Sequence, residues 1–162
     1  MLEIKAKLKI ARTAYKLEIK GRLRLPFALR QGGEAQARLE SGEEVVLKLR
    51  RGEVLRGGDL VTASDGRVIE VVAVPEKLLQ VTAGSLAKLA YHLGSRHVPV
   101  EVGKDFLRVP ADAGEVLEEL GAKASPVEAP FEPEVTAPHH HDQDHGHDLS
   151  HIGKPHADGD RD

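Results

Sequence analysis

Histidine is the residue type most unevenly placed in this chain of 162 residues. Neutral imidazole is a good ligand for nickel, copper and zinc, and carboxylates set between histidines can add oxygen ligands. Seven of the nine histidines fall within the last 24 residues, which also hold six aspartates. The composition predicts a metal-binding tail, and the spacing of its histidines differs from the unbroken run of a purification tag. These histidines are His139, His140, His141, His145, His147, His151 and His156.

Two further histidines, His92 and His97, precede the tail. If residues 97–102 form a strand, the valines at 98, 100 and 102 share its core face and His97 points the other way. We therefore expect His97 to be exposed or at an interface. A two-fold axis beside it would supply two imidazoles from one sequence position. His92 lies off the apolar face of an expected helix, so a solvated side chain is the simpler interpretation and a metal ligand the alternative.

The chain lacks the motifs of several common enzyme classes. It contains no cysteine, which excludes disulfides, iron–sulfur clusters and thiol catalysis. It has neither a G-x-x-x-x-G-K-[ST] phosphate-binding loop nor a G-x-S-x-G nucleophile motif. Two histidines ahead of the tail are too few for a catalytic metal centre with three protein ligands and an open position. The sequence thus predicts a protein that is not an enzyme.

Charge and hydropathy argue against nucleic-acid and membrane partners. The net charge is −3, and the basic stretch at residues 1–30 has only Tyr15 and Phe27 to stack on bases. No apolar run approaches the roughly 18 residues that a membrane helix needs. The N-terminus alternates apolar and charged residues, which is unlike a signal peptide. We expect a cytoplasmic protein.

The first part of the chain, residues 1–74, has the pattern of a small β domain. Apolar residues alternate with lysines at residues 4–10, and Val45, Leu47 and Leu49 alternate in the same way before an expected turn at residues 51–52. Further turn signals lie at residues 57–59 and 65–66, the second between two short apolar runs. Many short strands joined by turns predict a sandwich or barrel.

The pattern changes near Pro75, and residues 75–134 read as a ferredoxin-like βαββαβ domain. Leu86, Leu89, Ala90 and Leu93 mark one face of a helix that Gly94 would end. Strands are expected at 78–82, 97–102 and 106–109, a second helix at 111–120, and a last strand between residues 123 and 131. Residues 135–162 form the expected disordered tail, because they contain too little apolar surface to offset chain entropy. The predicted fold class is α+β.

Three segments resemble the UreE family, the nickel metallochaperones that act as urease accessory proteins. The first is AYHLGSRHVPV at residues 90–100; the others are LRRGEVLRGGD at residues 49–59 and DGRV at residues 65–68. The histidine-rich C-terminus is similar to the tail of many members. The likeness extends over nearly the whole chain, and the combination of segments is specific.

The resemblance implies an N-terminal domain that binds peptide or partner surfaces and a second domain that binds metal and dimerises. It implies that His97 from each protomer meets the other around one Ni(II) ion, with extra ligands from the tail. Some members carry further histidines after the strand pair, whereas residues 98–138 here hold none. His92 or the tail would then complete the ligand set.

The function expected from the sequence is delivery of Ni(II) for assembly of the urease active site. The resemblance implies a homodimer that works with the accessory GTPase and the urease apoprotein. Zn(II) and Cu(II) are possible competitors, because raw affinity follows the metal series rather than biological use. The alternative is a metal storage or detoxification protein that acts through its tail alone.

Overall fold

The computed structural model of the chain describes residues 1–8 and 17–135. The end of the first expected strand, at Lys9 and Ile10, and the tail from residue 136 onward lie outside the described residues. In the described part of the chain, no helix combines the length and the hydropathy needed to cross a membrane.

Six strands form the N-terminal sheet, with one helical turn between the second and the third. The elements are β1 (Leu2–Lys7), β2 (Ile19–Leu25), α1 (Phe27–Arg30), β3 (Gln31–Arg38), β4 (Glu44–Val54), β5 (Leu60–Ala63) and β6 (Val68–Ala73). The strand order is β2-β6-β5-β1-β4-β3. A hydrogen bond from the Glu40 N–H to the Arg22 carbonyl joins the two edges of this sheet. The prediction of a strand-rich first half is confirmed.

Alternation of aliphatic residues accounts for the core of this sheet. Val45, Leu47 and Leu49 on β4 are all buried, as predicted, because alternate residues of a strand share one face. The alternation expected in β1 is wrong beyond Ile4, which is buried. Ala6 is exposed because the pairing of β1 with β5 shifts register between these two residues.

The turn expected at Arg51 and Gly52 is also wrong. Strand β4 continues to Val54, and Gly52 adopts a φ of 82° within it. The pairing of β4 with β3 shifts register at this point. The glycine therefore serves a bulge in a long strand rather than a reversal of the chain. The turns expected at residues 57–59 and 65–66 are confirmed.

Four strands and two helices follow in the order that the sequence predicted. They are β7 (Pro75–Val81), α2 (Leu86–Ser95), β8 (Glu101–Val102), β9 (Leu107–Pro110), α3 (Gly114–Glu119, after a 3-10 turn at Ala111–Ala113) and β10 (Ser125–Pro130). The sheet is antiparallel with the order β10-β7-β9-β8. This is the ferredoxin-like βαββαβ arrangement, so the α+β fold class is confirmed. The division into domains at residues 1–74 and 75–134 stays a prediction.

The strand expected over residues 97–102 is wrong in length and in its inward face. Only Glu101 and Val102 form strand β8, and residues 98–100 approach it as irregular chain. Glu101 is buried and Val102 is exposed, the reverse of the expectation. The reason is a set of polar contacts: the Glu101 carboxylate accepts hydrogen bonds from the Glu132 N–H at 2.7 Å and from Arg108 at 3.1 Å.

Candidate metal centre

Helix α2 brings His97 to the surface. The start of this helix and its orientation on the sheet follow from the sequence. The Ser85 side chain accepts a hydrogen bond from the Lys88 N–H at 3.4 Å, which satisfies a free donor at the helix start. Leu89 and Leu93 are buried against the four-stranded sheet, and Leu86 packs beside them. The predicted apolar face is therefore confirmed, and it orients the helix on the sheet.

Helix α2 ends in a Schellman motif at His97. The His97 N–H donates to the Gly94 carbonyl and the Val98 N–H donates to the Leu93 carbonyl, each at 3.0 Å. The expectation that Gly94 ends the helix is wrong, since α2 runs on through Ser95. The left-handed residue of the motif is His97, with a φ of 58°.

The backbone at His97 is strained for its residue type. Within residues 1–8 and 17–135, His97 is the only residue other than glycine with a positive φ. The left-handed conformation costs an L-residue about 1–2 kcal/mol, so glycine usually takes this place. Such strain persists only where the surroundings fix it, and it concentrates at functional sites. The conformation therefore marks His97 as a candidate functional residue independently of its chemistry.

The His97 side chain lies on an open groove of about 460 Å³ between the two sheets. Phe27 of α1 and Val54 of β4 line one side, while residues 98–100 line the side that carries His97. His97 is exposed, as predicted, and no hydrogen bond or ion pair occupies its imidazole in the described part of the chain. Its ring nitrogens are therefore free to bind a ligand from this groove.

His92 lies elsewhere on the same helix. It is exposed in the last turn of α2, and its ring meets the ring of Tyr91 edge-on with centroids 5.5 Å apart. It does not line the groove that His97 borders. The structure thus separates the two histidines, and a metal-binding role for His92 stays a prediction without added support.

Sequence reasoning missed Glu134, which lines the groove together with His97. Its side chain is exposed, and its backbone N–H donates to the Val100 carbonyl at 2.8 Å. The only sequence signal was its position just ahead of the histidine-rich tail. Residue 134 falls between the expected last strand and the expected tail, which gives no reason to single out one carboxylate.

A polar cluster between the two sheets holds the segment that precedes Glu134. The Arg30 side chain is fully buried and donates to the carbonyls of Leu55 and Phe131 and to the Glu132 carboxylate. Arg56 donates to the same carboxylate at 2.9 Å and to the Pro133 carbonyl at 2.6 Å. We call these residues, Arg30, Arg56 and Glu132, the seam cluster. It fixes residues 131–133 against the six-stranded sheet, and hence one wall of the groove.

One protomer supplies too few ligands for a closed metal site. Among residues 1–8 and 17–135, no three His, Cys, Asp or Glu side chains are grouped so that they could hold a metal ion. The tail histidines predicted as ligands, from His139 to His156, lie outside the described residues. An ion bound by His97 would therefore need ligands from a second protomer, from the tail, or from both.

Comparison with known proteins gives the same family over both sheets. The N-terminal domain of UreE urease accessory protein matches residues 9–74, and its C-terminal domain matches residues 69–156. The urease accessory protein UreE of Cupriavidus necator is 48% identical over 134 residues, which cover 80% of this chain and 69% of that protein. The proteins of that name from Cupriavidus pinatubonensis and Ralstonia nicotianae are each 46% identical, and the chain covers 60% and 63% of their lengths.

The chain thus spans about two thirds of the length of these relatives. Together the two family matches cover the strained helix end, the residues that line the groove and the histidine-rich tail as far as residue 156. The chain belongs to the UreE family of urease accessory proteins, which are chaperones and not enzymes.

Proposed function

We propose that this protein is a nickel metallochaperone that delivers Ni(II) for assembly of the urease active site. The observation that carries the proposal is the exposed, unpartnered imidazole of His97 at a strained helix end beside a groove. Membership of a urease accessory family supports urease as the destination. An exposed site with few ligands suits an ion that must be released to another protein.

The proposed site lies on the two-fold axis of a homodimer. One protomer offers a single groove imidazole in the described part of the chain, so a second copy is the simplest source of another. A two-fold interface brings the same residue from each copy to the axis. His97 and its symmetry mate would then share one Ni(II) ion that neither protomer binds tightly alone.

The tail would collect nickel and supply further ligands. Val135 lines the groove, so the chain leaves the described structure beside His97. His139 follows four residues later, and four extended residues span at most about 14 Å. The proposed tail ligands, His139, His140, His141, His145, His147, His151 and His156, thus start within reach of the groove.

The proposed partners are the accessory GTPase and the urease apoprotein, met in the cytoplasm. Zn(II) and Cu(II) would compete for the same imidazoles, because Cu(II) in particular binds nitrogen ligands more tightly than Ni(II). Selectivity would then depend on metal supply and on the partner that accepts the ion.

Nickel-dependent dimer mass, measured with and without His97, tests the proposal. We expect the full chain to bind one tight Ni(II) per dimer and further ions weakly, and His97→Ala to lose the tight ion. His92→Ala is the matched control, because it removes an exposed imidazole of the same helix that lies off the groove. Affinity should fall steeply below about pH 6 as the imidazoles protonate. A tight ion retained by His97→Ala would refute the site.

The alternative function, metal storage through the tail, predicts a different pattern. A store would keep its nickel capacity and its effect on urease in His97→Ala, and it would lose capacity when the chain ends after Pro138. A carrier would lose urease activation in His97→Ala and keep one ion per dimer in the shortened chain. The strained conformation of His97 favours the carrier, because a tail-based store gives no reason for it.

A further inference from the structure

Glu134 is a free carboxylate on the wall of the groove that His97 borders. Within the described residues its side chain makes no hydrogen bond or ion pair, although many other carboxylates of the chain are paired. Arg51, the one arginine or lysine among the residues that line the groove, makes no ion pair with it. An unpartnered carboxylate and an unpartnered imidazole that line one groove offer an oxygen donor and a nitrogen donor on the same surface.

Hydrogen bonds from two parts of the molecule hold the backbone that leads into Glu134. The seam cluster binds the carbonyls of Phe131 and Pro133, and the Glu132 N–H donates to the Glu101 carboxylate. The Glu134 N–H then donates to the carbonyl of Val100 at 2.8 Å. These contacts set the position of Glu134 against residues 100–101, only a few residues after His97.

The loop from His97 to Val100 is fixed in the same way. The Schellman motif holds the backbone of His97 and Val98 to the end of α2, and Val100 is buried in the core below. The two donor residues therefore sit on backbones that are positioned before any ion arrives. Such preorganisation lowers the ordering cost of binding.

We infer that Glu134 is a ligand of the metal ion at His97. The inference rests on the function proposed above. Across a two-fold axis, one histidine and one glutamate per protomer give two nitrogen and two oxygen donors. A tetragonal set of nitrogen and oxygen donors is typical of Ni(II) and Cu(II), whereas structural zinc sites favour a tetrahedral set of nitrogen and sulfur donors. Two carboxylates also balance the charge of one divalent ion.

The test compares Glu134→Gln with Glu128→Gln in the full chain loaded with one Ni(II) per two chains. Glu128 is an exposed carboxylate on β10 that does not line the groove, so it controls for the loss of charge. Competition with a chelator should show nickel affinity lowered at least about tenfold in Glu134→Gln and unchanged in Glu128→Gln. X-ray absorption should show fewer oxygen donors in Glu134→Gln, and Glu134→Asp should recover part of the affinity.

The outcomes separate this inference from the function on which it rests. If His97→Ala loses the tight ion while Glu134→Gln keeps wild-type affinity and oxygen donors, the carrier stands and Glu134 is not a ligand. If nickel affinity falls equally in Glu134→Gln and Glu128→Gln, the fall comes from the loss of one negative charge anywhere on the protein, and the inference is again wrong. If His97→Ala keeps the tight ion, the proposed function fails, and the inference fails with it.

Discussion

The two helices of the ferredoxin-like region end in the same geometry on different residues. At the end of α3, the Gly121 N–H donates to the Glu118 carbonyl and the Ala122 N–H donates to the Leu117 carbonyl. At the end of α2, His97 and Val98 make the equivalent bonds to Gly94 and Leu93. The left-handed residue has a φ of 69° in α3 and 58° in α2. Glycine accepts this conformation without steric cost, whereas histidine does not.

The contrast separates Gly121, a residue that stabilises the fold, from His97, a residue that destabilises it. Gly121 follows the usual preference of a helix end, and a Cβ there would meet nothing within 4 Å. His97 lowers the folding stability relative to glycine, but it places an imidazole on the groove. The cost must be offset by the structure around it. The seam cluster is linked to the loop that follows α2, because the segment that it holds bonds to Val100 and Glu101.

Loss of Glu132 tests whether the seam cluster supports the strained end. Glu132→Ala leaves the buried Arg30 guanidinium without its carboxylate, which should lower the free energy of unfolding by about 3 kcal/mol in denaturant titrations. Arg30→Met should lower the free energy of unfolding by less, because the Glu132 carboxylate still pairs with Arg56 and still contacts solvent. In Glu132→Ala, amide exchange should rise at His97 and Val98 and stay slow at Gly121. An equal rise at both helix ends would contradict local support.

Substitution of Gly121 measures the cost of the left-handed conformation directly. Gly121→Ala should lower the free energy of unfolding by about 1–2 kcal/mol, because there is space for the methyl group but the φ of 69° disfavours it. Gly114→Ala is the matched control, since Gly114 is helical and its new Cβ would make an ordinary contact with Leu79 at 3.7 Å. The control should be neutral or slightly stabilising. Equal losses in both variants would mean that packing, not φ, sets the cost.

The reverse substitution at the other helix end should stabilise the metal-free protein. His97→Gly relieves the strained φ but increases the entropy of the unfolded chain, so we expect a net gain of up to about 1 kcal/mol. His97→Ala keeps the strain and should gain nothing. Thermal unfolding without nickel measures both. If the glycine and alanine variants are equally stable, His97 carries no conformational cost and the comparison of the two ends loses its meaning.

Local patterns predicted most of the fold. Helical spacing of leucines located α2 and its buried face, and strand alternation located β4 and its core residues. The expected order of strands and helices after Pro75 matches the observed one. These features depend on residues close in sequence, which is why composition and periodicity were enough.

Features that depend on distant contacts were not predictable in this way. The burial of Glu101 depends on the N–H of Glu132, 31 residues away, and on Arg108 across the strand pair. The alternation of valines carries no information about these partners, so it assigns the wrong residues of strand β8 to the core. His97 was expected on a strand because its left-handed conformation has no signal in the sequence when glycine is absent. Glu134 is placed at the groove by its hydrogen bond to the Val100 carbonyl and by the seam cluster, in which Arg30 and Glu132 lie 102 residues apart.

Charged residues of the six-stranded sheet contrast with those of the groove. Hydrogen bonds from the Arg67 side chain lower the pKa of the Glu43 carboxyl. The pKa of Asp65 is lowered first by the Arg67 backbone N–H and then by the Arg67 side chain. Their side chains are used for stability, whereas His97 and Glu134 have no such partners in the described part of the chain. Acid should therefore lower the folding stability that the paired carboxylates provide, whereas at His97 and Glu134 it should lower the affinity for metal.

Glu3 gives the sharpest test of that contrast, with the smallest expected effect. A hydrogen bond from Lys48 and another from Lys5 lower the pKa of Glu3 from 4.5 to about 2. Its stabilisation is complete above about pH 4.5 and is lost as the pH falls toward 2, because the unfolded state takes up the proton first. Glu3→Gln should flatten the dependence of unfolding free energy on pH in this range by at most one proton. Lys48→Met should flatten it less, because the Lys5 contact with Glu3 remains. The double variant should add little to Glu3→Gln, because the titrating carboxyl is already gone. Additive effects would show that the two side chains act separately, and the low pKa would then need another cause.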